Sequence, residues 1–183
     1  MNPILDGYPT EYAGYLIRTD FRIGIQICQC LADEDMSEYE RVATALYLLF
    51  GNGVPDQETA QAGLTWFING GCIPEEKSTD GEDFFDFDVD SGRIITGFKK
   101  NYNIDLEREN LHWFKFLAMI GDLGECAFTN VIEYRTKKIT SDMPAETRKT
   151  YADLKRKYAL KPVFNEEEQA AIDDFLSQLA ADE

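Results

Sequence analysis

Eleven residues from Asn110 to Ile120, Asn-Leu-His-Trp-Phe-Lys-Phe-Leu-Ala-Met-Ile, form the densest apolar run in the chain. They carry one of its two tryptophans and its only histidine. At about 100° per residue on a helix, Leu111, Trp113, Phe114, Leu117, Ala118 and Ile120 cover well over half the circumference. A helix apolar around most of its girth is buried around most of its girth. A central core helix is therefore predicted, capped by Asp105 and running to about Ile120. Arg108, His112, Lys115 and Met119 share the remaining strip, for which two environments make sense: the acids between Asp86 and Asp90, or solvent.

The other segments supply partners for such a helix. Tyr8 to Tyr12 and Tyr15 to Ile17 flank Ala13-Gly14 and read as a short hairpin, because glycine supplies the positive φ of a tight turn. Thr19 is placed as N-cap of a helix to about Ala32, with stripes at Phe21, Ile25, Cys28, Ala32 and at Ile23, Ile27, Leu31. Ser37 and Glu40 make a capping box opening a helix to Phe50, with Tyr39, Val42, Leu46 and Leu49 facing inward. Gly51-Asn52-Gly53 stops it. Gln57 to Ile68 follows, aligned on Ala60, Leu64 and Phe67 and ended by Gly70-Gly71. Residues 72–83 are polar, acidic and turn-rich, and read as a mobile loop.

A further helix, capped by Asp88 or Asp90, runs to Tyr102 with Ile94, Phe98 and Tyr102 in line. After the central helix come a short one from Phe128 to Arg135 and one opened by Pro144 that buries Tyr151, Leu154 and Tyr158. An amphipathic C-terminal helix over 163–183 has a narrow seam of Ile172, Phe175, Leu176 and Leu179. The fold class is mainly α: one compact multi-helix domain over 1–183, about eight helices, with a short N-terminal β-hairpin.

No apolar run approaches the roughly 18 residues of a membrane span. The N-terminus lacks the basic start and apolar middle of a signal peptide, so a cytosolic protein without a membrane partner is expected. Cys28, Cys30, Cys72 and Cys126 lack the paired spacing of a zinc site and read as buried free thiols. A formal charge of −16 repels phosphate and argues against nucleic acid. The charge is uneven, since Arg135 to Lys161 holds nine Lys/Arg against three acids. That basic stretch, which includes Lys155, Arg156 and Lys157, either folds against acidic neighbours or meets the acidic face of a second copy head to tail.

Catalytic and metal patterns are weak. Asp86-x-Asp88-x-Asp90-x-Gly92 resembles a calcium loop, but its glycine comes one place late and Gly97 stands where a bidentate Glu belongs. The alternating apolar residues suggest that they dock while the acids face water and cap a helix. His112 has no Cys, Ser or carboxylate at a recognisable offset, so a structural histidine is expected in place of a general base. No phosphate loop, nucleophile elbow or His-Glu-x-x-His is present. No catalytic, cofactor or metal residue is assigned. The candidate partner-binding residues are Ile172, Phe175, Leu176 and Leu179 on the last helix, which either packs on its own domain or docks on a partner, and Lys155, Arg156 and Lys157.

Several blocks resemble the tailed-bacteriophage gene-product-fifteen family. They are Ile17-x-Thr19-Asp20-Phe21-Arg22, Asp86-Phe87-Asp88-x-Asp90, Tyr102-x-Ile104-Asp105-Leu106, Leu111-His112-Trp113-Phe114-Lys115-Phe116, Tyr134-Arg135, and Tyr151-x-x-Leu154-Lys155-x-x-Tyr158-x-Leu160. Arg18 replaces a usual Asn, Phe114 stands where a second tryptophan is common, and the acidic loop replaces a longer Lys-rich stretch. The resemblance implies a non-enzymatic tail assembly protein without a cofactor, a chaperone-like partner of the tape-measure or tail-tube protein. It would act in the cytoplasm of the bacterial host. The alternative it allows is a structural component of the mature virion tail, and a small enzyme using His112 is the third reading.

Overall fold

The computed structural model describes residues 2–72 and 84–160. In order, the elements are α1 (Pro3–Asp6), β1 (Glu11–Tyr12), β2 (Tyr15–Leu16), α2 (Phe21–Ala32), α3 (Glu38–Phe50), α4 (Gln57–Ile68), α5 (Ser91–Tyr102), α6 (Trp113–Gly121), α7 (Ala127–Thr136) and α8 (Ala145–Lys157). The mainly helical class and the N-terminal hairpin are as predicted. Seven of the eight described helices correspond to predicted ones. The four-residue α1, begun by Pro3 and capped by the Asn2 side chain, is additional. The predicted C-terminal helix over 163–183 and nearly all of the 72–83 loop lie outside the described residues.

The chain divides into two compact units, Met1–Asp83 with Phe87–Thr129, and Phe84–Asp86 with Asn130–Glu183. In the first, α2 packs against α3, α4 and α6. Its buried stripe is Phe21, Gly24 and Ile27, while Ala32 is exposed. The helix begins one residue later than expected, because Asp20 and not Thr19 caps it, accepting from the Arg22 N–H at 2.9 Å. The hairpin turn places Ala13 and Gly14 at φ 50° and 84°, the left-handed pair that matches strand twist. Arg18 N–H donates to Leu49 O, which ties the hairpin to the end of α3.

The core is aromatic. Phe116 is fully buried and stacks on Phe21 and Phe98 at ring distances of 4.9 and 5.2 Å, with Trp113 at 5.7 Å. The indole N–H of Trp113 donates to Phe67 O at 3.0 Å, so the largest core side chain has its polar atom satisfied.

The central helix is shorter than predicted. Residues 105–109 form a separate turn in which Asp105 accepts from Glu107 N–H, and α6 begins only at Trp113. A backbone clasp fixes that start: Trp113 N–H donates to Thr19 O at 2.7 Å and Phe21 N–H to Leu111 O at 2.9 Å. Arg22 holds the turn against the start of α2, donating to Leu106 O at 2.7 Å and to the Asp20 carboxylate at 3.2 Å. Arg108 and Lys115 face solvent, one of the two expected environments. His112 does not share their strip and packs between the Tyr8 and Phe114 rings.

Two other expectations change. Asp90 is fully buried and paired with Arg93 at 2.9 Å, and it stands at the N-cap of α5 without a side-chain capping bond, whereas Asp86 and Asp88 do face water. Cys72 is exposed, not a buried thiol, while Cys126 is buried and burial pushes the Cys28 thiol up to about 11.

The second unit is small. Arg135 bonds two segments of it, Nε donating to Tyr158 O at 2.6 Å and Nη1 to Phe84 O at 3.1 Å. Tyr134 stacks on Tyr158, and Lys137 lies over the Tyr151 ring. No residue of α8 is fully buried. Tyr151, Leu154 and Tyr158, predicted inside, are half-buried.

Candidate partner-binding surface

The α3 helix carries more apolar surface than the first unit covers. Its capping box forms as predicted, Ser37 Oγ accepting from Glu40 N–H while the Glu40 carboxylate accepts from Ser37 N–H. Its buried residues are Ala45, Leu49 and Phe50. Of the four residues expected inside, only Leu49 is buried; Val42 and Leu46 are half-buried and Tyr39 is 82% exposed. Residues 39, 42, 43 and 46 form one stripe, 45 and 49 its neighbour. Both stripes are apolar, so spacing alone does not say which one faces the core.

The outer stripe floors an open groove of about 600 Å³ between Tyr39, Val42, Ala43 and Leu46 on one side and Val54, Gln57 and Gln61 on the other. A second groove, about 820 Å³, lies across α4 and is walled by Tyr12, Thr65, Trp66 and Cys72. Gln57 and Gln61, one helical turn apart, border both. Trp66 is held by the Tyr12 ring at 4.9 Å and the edge of Phe114 at 5.0 Å.

The rims are acidic. Glu38 lines the first groove and Glu58 the second, and among the described residues no Lys, Arg or His lines either. The Ser37 hydroxyl and backbone N–H hold the Glu40 carboxyl below the usual carboxylate range, and bonds from Thr59 do the same for Asp56, the N-cap of α4. Two contiguous apolar channels with fixed negative charge beside them can accept one face of an amphipathic helix.

His112 is built into the fold. Its Nδ1 accepts from Phe114 N–H at 3.0 Å as the N-cap of α6, and its Nε2 lies 2.8 Å from Pro9 O. These bonds define one tautomer, protonated on Nε2. Both ring nitrogens are thus occupied. Among the described residues, no three of His, Cys, Asp and Glu gather as a metal site.

Burial pulls the imidazole pKa below its ordinary 6.5, outweighing the Pro9 carbonyl, which favours the cation. The unfolded chain therefore takes up a proton first as pH falls, so stability is full above about 6.5 and declines below it. Protonation also removes the Nδ1 lone pair that caps α6. The melting temperature is expected to fall as pH drops below 6.5, and His112→Asn, which keeps a capping acceptor that does not titrate, is expected to flatten that slope. Equal slopes for the two proteins would contradict this role.

Of the partner residues read from sequence, Lys155, Arg156 and Lys157 occupy the last turn of α8, where cations favour the helix dipole. Arg156 reaches Asp153 at 3.8 Å with both side chains about 60% exposed, a weak pair, and Lys157 lies over the Tyr158 ring. Ile172, Phe175, Leu176 and Leu179 lie outside the described residues. Spacing missed Tyr39 and Val54 as exposed residues and Trp66 as a half-buried groove wall. The available signal was the doubled apolar stripe of α3. Arg135, counted in the basic stretch, is engaged inside the second unit.

Residues 4–160 match the family model described as Bacteriophage Gp15 protein, and the chain belongs to that family. Membership points to a phage structural or assembly protein. No curated protein and no solved structure matches the chain.

Proposed function

We propose that this bacteriophage Gp15 family member is a non-enzymatic tail assembly protein, a chaperone-like partner of the tape-measure and tail-tube proteins. It holds an apolar helical face while the tail forms in the cytoplasm of the bacterial host. The observation that carries this reading is the open apolar groove of α3, with Tyr39 82% exposed at its rim. A surface of this kind on an otherwise acidic chain supports a protein-docking role. A partner helix would enter with side chains at i, i+3 or i+4, and i+7. Lys155, Arg156 and Lys157 offer a second contact, to the acidic face of another copy in head-to-tail pairing.

Mass spectrometry of purified virions tests the assembly role. A transient chaperone is expected to be missing from finished particles. Its recovery at a fixed ratio to the tube subunit would overturn the chaperone reading in favour of a structural component of the mature tail.

A further inference from the structure

We propose that the α3 groove selects a partner helix whose apolar seam is flanked by lysine or arginine. This rests on the reading of the groove as a partner site and adds the chemistry that site recognises.

The floor supplies affinity but little choice, because Val42, Ala43, Leu46 and Val54 would accept any aliphatic seam. Choice comes from the rim. Glu38, in the first turn of α3, lines this groove, and Glu58, in the first turn of α4, lines the adjoining channel that shares Gln57 and Gln61 with it. The α4 sequence holds no Lys or Arg, and the only one in α3 is Arg41, whose Nη1 lies 3.5 Å from Leu31 O. Asp33, Glu34 and Asp35, exposed and just before α3, add acids at this end of the helix. Like charges set against this rim are costly, so the surface discriminates by repulsion as well as attraction. Gln57 and Gln61 add amide groups on the ridge between the two channels.

The same chemistry disfavours the chain's own C-terminal seam as the occupant. Residues 163–183 contain seven acids and no Lys or Arg, so Phe175 and Leu176 would bring negative charge to a negative rim. A foreign basic amphipathic helix is the better match.

The test is fluorescence anisotropy with two labelled peptides of about five helical turns. Both carry the same leucine seam; one is flanked by Lys and the other by Glu. The intact protein is expected to bind the Lys-flanked peptide at least about tenfold more tightly, a preference that shrinks as salt screens the rim. Val42→Asp is expected to weaken binding of that peptide about tenfold or more. Glu38→Lys together with Glu58→Lys, both at exposed positions, is expected to reverse the preference. Equal binding of the two peptides, or binding indifferent to Val42→Asp, overturns the proposal. Co-expression with the tape-measure protein separates the two failures. If that protein is still held while the peptides show no charge preference, the charge selection falls and the assembly role stands. If neither binds, both fall.

Discussion

Replacing Gly24 by alanine is expected to cost the first unit about 3 kcal/mol, the upper end of what an overpacked core loses. A Cβ at this position would stand 2.2 Å from Cδ2 and Cε3 of Trp113, well inside van der Waals contact. Such a clash is mild where the neighbour can swing aside, and Trp113 cannot. Its indole N–H is bonded to Phe67 O at 3.0 Å, its ring stacks between Phe67 and Phe116, and it is 1% exposed. Moving the ring would leave a buried donor without its acceptor, a further cost of about 1–3 kcal/mol. The denaturant midpoint of Gly24→Ala should fall sharply. Gly92→Ala is the control, because nothing lies within 4 Å of its Cβ and it sits early in α5, where alanine favours the helix by about 1 kcal/mol. Equal midpoints for the two variants would contradict the packing of α2 on α6.

Phe116→Ala is expected to cost about 4 kcal/mol, since truncating a buried phenylalanine removes its transfer free energy and leaves a cavity. The ring is 0% exposed and lies among Phe21, Phe87, Phe98 and Trp113. Three other segments, α2, α5 and the stretch around Phe87, therefore lose contacts with α6 together. A domain of ordinary stability, about 5–15 kcal/mol, would come close to unfolding, and the near-ultraviolet circular dichroism of the stacked rings should collapse. Phe116→Leu, which keeps most of the volume, should cost far less. A Phe116→Ala protein with an unchanged aromatic spectrum would mean that these rings are not the core.

Local chemistry was well written in the sequence. Ser37 and Glu40 announced the start of α3, Ala60, Leu64 and Phe67 the inner face of α4, and Ala13-Gly14 the hairpin turn. Each rests on neighbours within a few residues. The failures involve partners far away in the chain. The α6 start shifted from Asp105 to His112 because Thr19 O claims the Trp113 N–H across more than ninety residues, and periodicity carries no trace of that bond. Asp90 read as a solvent-facing cap, yet it is buried beside Arg93.

The candidate surface was least legible. Tyr39, Val42 and Leu46 were recognised as a stripe, but an apolar stripe waiting for a partner has the same spacing as one facing a core. Only the packing of Ala45 and Leu49 separates them. The family blocks were legible for a different reason: Leu111 to Phe116 fixes both the clasp and the aromatic cluster, so few other residues can stand there.

The most direct measurement is co-expression of the tape-measure protein of the same phage with this chain and with a Val42→Asp, Leu46→Asp variant of it. Both substitutions lie on half-buried positions of the groove floor, so the variant is first checked for a retained helical melting transition. The expected result is a soluble tape-measure protein that co-purifies with the unaltered chain and is lost to the insoluble fraction with the variant. A tape-measure protein equally soluble and equally bound with both, or insoluble with both, would contradict a groove that holds a helical partner during tail assembly.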